Sequence, residues 1–72
     1  MIRFLRYSLD HGRRIKAVLM ENDQMTQTNL TVTALDESSF AYVTAKQKTP
    51  RTLPLTALMA AGYARGDNGE SD

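Results

Sequence analysis

Residues 26–46, "TQTNLTVTALDESSFAYVTAK", decide the fold of this 72-residue chain. Leu30, Val32 and Ala34 alternate with Asn29, Thr31 and Thr33, a period of two that is typical of a half-buried strand. The threonines favour extended backbone because their side chains branch at Cβ. A turn signal at residues 36–39 separates this strand from a second one, predicted over residues 40–46.

The flanking segments extend the same pattern in both directions. Upstream, "RRIKAVLMEN" predicts a strand that begins near Ile15, and "ENDQ" predicts a turn centred on Asn22-Asp23. Downstream, Pro50 is predicted to end the strand ladder, and residues 51–55, "RTLPL", are predicted to form a short strand. Pro54 in that strand lies at a sheet edge or has its N side turned away from a neighbouring strand. A single 3₁₀ turn at residues 56–58 and a last strand at residues 59–65 complete the series.

The first eleven residues predict a helix instead. Ile2, Leu5 and Leu9 recur at helical spacing, and Gly12 is suited to a C-terminal stop. His11 lies at the helix end, where a cation is favoured, and Tyr7 precedes it by one turn. We therefore predict a mainly β (α+β) fold: an N-terminal helix followed by a five-stranded antiparallel small barrel, with a one-turn 3₁₀ helix before the last strand.

Length and composition limit the possible functions. A chain this short buries only about 60% of its unfolded surface, so we predict one domain over residues 1–66 and a flexible acidic tail over 67–72. There is no Cys, no continuous apolar segment of membrane-spanning length and no signal-peptide pattern, which predicts a cytoplasmic protein with no membrane partner. No nucleotide-binding loop, metal-ligand spacing or nucleophile motif occurs, so we predict no enzyme, no metal and no cofactor.

Two surfaces are candidates for binding. Over residues 1–66, nine Lys and Arg stand against five acids, a charge of +4. Single-stranded nucleic acid binds small barrels through a positive groove and aromatic platforms, which Tyr7, Tyr42 and Tyr63 would supply. The candidate nucleic-acid-binding residues are Arg13, Arg14, Lys16, Lys46, Lys48 and Arg51.

The second surface is apolar. Val18 and Met20 give the first strand a second apolar face, and Met25 follows its turn. One helix cannot cover both faces of the sheet, so these residues form a candidate interaction surface for a protein partner or for a homodimer. Of the two alternatives, the sequence favours protein–protein interaction or assembly, with nucleic-acid binding second.

The order of elements resembles the small barrels of the Sm and Src-homology kind. Within it, "SFAYVTAKQKTPRTLPLTAL" resembles the core of the WYL domain of bacterial transcription regulators, with Phe40, Tyr42 and Val43 in place of the signature strand. That resemblance implies small-ligand sensing as a third possible function, although the signature Trp is absent. The whole chain also resembles short uncharacterised proteins of bacterial mobile elements, in which "SLDHGRRI" and "YARGD" bracket such a barrel.

Overall fold

Five antiparallel strands form one sheet behind an N-terminal helix, and a 3₁₀ turn precedes the last strand, so the predicted fold class is confirmed. The computed structural model describes residues 2–66; the tail predicted at 67–72 lies outside this range. The elements are α1 (Ile2–His11), β1 (Ile15–Glu21), β2 (Gln24–Leu35), β3 (Ser39–Val43), β4 (Arg51–Pro54), the 3₁₀ turn (Leu55–Ala57) and β5 (Leu58–Tyr63).

The long strand β2 organises the sheet. Its first half pairs with β1 and its second half with β3, and a register shift between Val32 and Ala34 marks an irregularity where a strand can bend. The order β4-β3-β2-β1-β5 places β4 and β5 at the two ends. No ladder joins β4 to β5 in the strand order of the described residues, and the chain passes from one strand to the other through the 3₁₀ turn. Pro54 lies on an edge strand, as predicted.

Local hydrogen bonds set the turns. Asn22 and Asp23 both have positive φ, 50° and 63°, as a two-residue hairpin turn of the I′ kind requires. Asp36 closes the next turn by accepting hydrogen bonds from the backbone N–H groups of Ser38 and Ser39, at 2.8 and 2.7 Å. These bonds hold the pKa of the Asp36 carboxyl below its ordinary value.

The third strand is shorter than predicted, because β3 ends at Val43 instead of continuing to residue 46. The Thr44 N–H donates to the Gln47 carbonyl at 3.0 Å, and the Gln47 N–H donates to Thr44 Oγ1 at 3.1 Å. This reciprocal pair turns the chain away from the sheet and fixes the start of the loop that carries Lys46 and Lys48.

The core lies between the sheet and α1. Alternate residues of β1 and β3 are buried there, and so are Leu30 and Val32 of β2, as the period of two predicts. Ala34 was expected on the same face but is exposed, because it follows the register shift after Val32. The buried core cluster comprises Leu5, Ile15, Ala17, Leu19, Leu30, Val32, Phe40, Tyr42 and Leu58.

The helix turns most of the predicted face inward. Leu5 is fully buried and Leu9 half-buried, as their spacing predicted, whereas Ile2 is 53% exposed and Ser8 is buried in addition. Ile2 is the first residue of the helix. Phe4, two residues later, meets Tyr63 edge to face, with ring centroids 4.9 Å apart.

Ser8 joins the helix to the sheet. Its Oγ accepts a hydrogen bond from the Val32 N–H at 2.9 Å and donates one to the Arg13 carbonyl at 2.5 Å. One buried hydroxyl therefore satisfies two backbone groups, one on β2 and one in the loop after α1.

In residues 2–66, no helix is both long and apolar enough to cross a membrane.

Candidate nucleic-acid interface

The start of β1 and the end of β5 meet at one end of the sheet. These strands are antiparallel, and Ile15 pairs with Tyr63. Residues that precede β1 and residues that follow β5 are therefore neighbours. They line a depression of about 320 Å³ that is formed by Arg13, Arg14, Ala64, Arg65 and Gly66.

A second depression adjoins the first between β2 and β3. It measures about 200 Å³, and Arg14 and Lys48 supply its positive charge. The loop anchored by Thr44 and Gln47 brings Lys48 to this position. The rest of the lining is uncharged: Asn29, Leu30, Thr31, Val43, Thr44 and Ala45.

A third depression of about 400 Å³ lies across β1 and β2, lined by Lys16, Gln27, Thr28, Asn29 and Arg65. It shares Arg65 with the first depression and Asn29 with the second. We call the three together the basic groove. Its cations are Arg13, Arg14, Lys16, Lys48 and Arg65, and among residues 2–66 no carboxylate side chain lines it.

The six predicted basic residues do not all lie in this groove. Arg13, Arg14, Lys16 and Lys48 line it, and Lys46 is exposed on the same loop as Lys48. Arg51 lies outside the groove, beside Glu21, and the distance from its Nη2 to Glu21 Oε1 is 2.8 Å. Glu21 ends β1, about 20 Å from the strand's first residue at ordinary strand rise.

Arg65 belongs to the groove but was not among the predicted basic residues. It follows the last strand and is 51 residues or more from the other cations of the first depression, Arg13 and Arg14. Only the pairing of the first strand with the last brings them together. The predicted barrel was the signal that could have placed Arg65 here, because closure of a small barrel requires the first strand to pair with the last.

The tyrosines differ from the prediction that all three are available to stack on bases. Tyr42 is 4% exposed and belongs to the core, and burial is the main cause that raises the pKa of its hydroxyl. Tyr7 and Tyr63 are half-buried and pack edge to face, with ring centroids 5.2 Å apart. The His11 ring lies 5.0 Å from Tyr7, as their spacing on the helix predicted.

The predicted apolar surface lies on the side of the sheet opposite the core. Met20 on β1 pairs directly with Met25 on β2, and Val18 pairs with Gln27. Val18 and Met20 are half-buried, whereas Met25 is 62% exposed. The three residues thus share one sheet face, with Met25 its most exposed apolar side chain.

A shallow depression of about 230 Å³ continues from the basic groove onto this face. It shares Lys16 and Gln27 with the groove. The remaining lining residues are small or apolar: Ala17, Val18, Ala60, Ala61 and Gly62. We call this depression the Gly62 groove.

Comparisons with protein-family models, with curated proteins and with solved structures give no match for this chain.

Proposed function

We propose that this chain is a non-catalytic module that binds single-stranded nucleic acid in the basic groove. The observation that supports the proposal is the convergence of Arg14, Lys16, Lys48 and Arg65, all exposed, on adjoining depressions with no carboxylate among their described lining residues. A cation cluster of this kind attracts phosphate, and the counterions released from the strand strengthen binding at low salt.

The uncharged lining favours a single strand over a duplex. Gln27, Asn29, Thr31 and Thr44 place amide and hydroxyl groups beside the cations. Such groups donate to and accept from the edges of bases that are free of a pairing strand. We assign this activity to the cytoplasm, the location that the sequence predicts, and to a bacterial protein, as the resemblance to proteins of bacterial mobile elements implies.

The salt dependence of binding tests the proposal. With four cations on a single strand, affinity is expected to fall roughly 50-fold between 50 and 200 mM salt. The double variant Arg14→Gln/Lys48→Gln retains two of them, so its affinity is expected to fall only roughly 7-fold over the same range. Fluorescence anisotropy with a labelled mixed-sequence oligonucleotide measures the affinity of both proteins at each salt concentration. The fall in affinity with salt is the salt slope of each protein.

A charge-matched control is available outside the groove. The variant Arg6→Gln/Arg51→Gln loses the same two charges, one on the exposed face of α1 and one in the ion pair with Glu21. This variant is expected to keep the wild-type salt slope. It is also expected to stay folded, because the exposed ion pair contributes at most about 1 kcal/mol to stability. Equal slopes in the two double variants, or no binding at 50 mM salt, would reject the proposal.

A second function, self-association through the apolar sheet face, is favoured by the exposure of Met25 beside Met20. Sedimentation equilibrium is expected to show an apparent mass that rises with wild-type concentration and stays at the monomer value in Met25→Ser. Ile2→Ser is the matched control, because Ile2 is similarly exposed but lies on the helix. A wild-type chain that stays monomeric at high concentration would exclude this function.

A further inference from the structure

We infer that the Gly62 groove is a subsite for one base of the strand whose phosphates lie in the basic groove. The inference rests on the function proposed above and adds to its base-edge contacts a defined position for the face of one base. It assigns a role to an uncharged surface that phosphate binding alone does not use.

Continuity with the cations identifies the occupant. Lys16 and Gln27 line both the Gly62 groove and the third depression, so a strand bound to Lys16 and Arg65 has the Gly62 groove beside it. A nucleotide is an anionic phosphate joined to a flat, largely apolar ring with polar edges. The two adjoining surfaces have the matching chemistry, cationic on one side and apolar on the other.

The size and lining of the Gly62 groove fit one ring. Its volume, about 230 Å³, is below the roughly 300–1,000 Å³ of sites that enclose a whole small ligand. Val18 and Ala60 offer apolar contact with a ring face. The Gln27 amide supplies donors and an acceptor for the ring's edge.

Gly62 itself has no structural reason to be glycine. Its φ is not in the positive region, unlike that of Gly12 and Gly66, and a Cβ built on it meets no atom within 4 Å. Glycine weakens a strand interior, where it often marks a bulge, a tight bend, or a close approach by a ligand or by another backbone. The register shift of the β1–β5 ladder lies between Val18 and Leu19 and not at the Lys16–Gly62 pair, and no other backbone approaches the built Cβ, so the ligand is the reading that fits. The space above Gly62 is therefore open, and a side chain added there would occupy the groove without straining the backbone.

The variant Gly62→Val tests the subsite. We compare two labelled oligonucleotides of equal length, one normal and one fully abasic, at low salt. The wild-type chain is expected to bind the normal strand at least about fivefold more tightly, the lower end of the range for a base stacked on an aromatic ring, since Val18 and Ala60 offer a smaller apolar surface. Gly62→Val is expected to reduce that preference by about fivefold, to whatever the base-edge contacts of the basic groove supply, and to leave the affinity for the abasic strand unchanged.

Two further variants make the result interpretable. Gly62→Ala adds only a methyl group, and its preference for the normal strand is expected to lie between those of the wild type and Gly62→Val. Ala34→Val adds the same kind of bulk at an exposed position of β2 that lines neither groove, and it is expected to keep the full preference. Thermal melting confirms that each variant is folded.

The outcomes separate this inference from the proposed function. If the wild type binds both strands equally, the base subsite is wrong and phosphate binding in the basic groove stands. If Gly62→Val weakens both strands alike, the groove contacts the backbone of the strand and the inference is again overturned. If the wild type binds neither strand, both the inference and the proposed function fail.

Discussion

Replacing Phe40 by alanine is expected to abolish the cooperative folding transition at 25 °C. Phe40 is 1% exposed, on a strand that pairs with both β2 and β4. Deleting a buried phenylalanine ring costs about 3–5 kcal/mol, because apolar burial is lost and a cavity remains. The core of a chain this short supplies only about 3–5 kcal/mol in net stability. Circular dichroism during heating measures the loss.

The variant Phe40→Leu is the control for this result. It keeps most of the apolar volume and is expected to fold with a lower melting temperature. A Phe40→Ala variant that melts within about 4 °C of the wild type would contradict the account, since that shift corresponds to about 1 kcal/mol or less. Phe40 would then not occupy the centre of the core.

Replacing Ser8 by alanine is expected to destabilise the fold by about 2–4 kcal/mol. The change removes one hydroxyl and leaves two backbone groups without it, the Val32 N–H and the Arg13 carbonyl. A buried polar group left unsatisfied costs about 1–3 kcal/mol, which applies in full to the Val32 N–H, whereas the part-buried contact to the Arg13 carbonyl contributes about 1 kcal/mol. Urea denaturation measures the difference in the free energy of unfolding.

Amide hydrogen exchange gives a second reading of the Ser8 contact. The Val32 amide is expected to exchange faster in Ser8→Ala than in the wild type. This increase in exchange rate is expected to exceed the increase at neighbouring amides of β2. The variant Ser8→Cys keeps a weak donor and acceptor at this position and is expected to fall between the two. Equal stability of Ser8→Ala and the wild type would show that α1 docks without this contact.

The strands could be predicted because their signals are local. The alternation at Leu30 and Val32, and the turn residues Asn22 and Asp23, act within a few positions of the chain. The inward face of the helix was less predictable. Ser8 is polar, so apolar spacing passes over it, and its burial depends on Val32, 24 residues away.

The candidate site was predictable where its cations stand in short basic clusters of the chain, as Lys48 does beside Lys46. Arg13, Arg14 and Lys16 belong to the groove and also cluster in the chain. Assigning Arg65 to the groove required the pairing of β1 with β5. The position of Arg51 was not predictable for the same reason, because its partner Glu21 is 30 residues away and reaches it only in the folded sheet.

The resemblance to WYL domains stays a prediction. Phe40 and Tyr42 do lie on a strand, and both are buried, with ring centroids 5.7 Å apart. Their burial gives them a packing role in this chain. A ligand-sensing role would need a site formed by other residues.

A two-dimensional amide NMR titration with a short single-stranded oligonucleotide, at 50 and 200 mM salt, tests the central claim most directly. The account predicts shifts at Arg14, Lys16, Lys48 and Arg65 that shrink at the higher salt, with little change at Arg51. Unchanged spectra at 50 mM salt, or shifts centred on Arg51 and the distant end of β1, would contradict it.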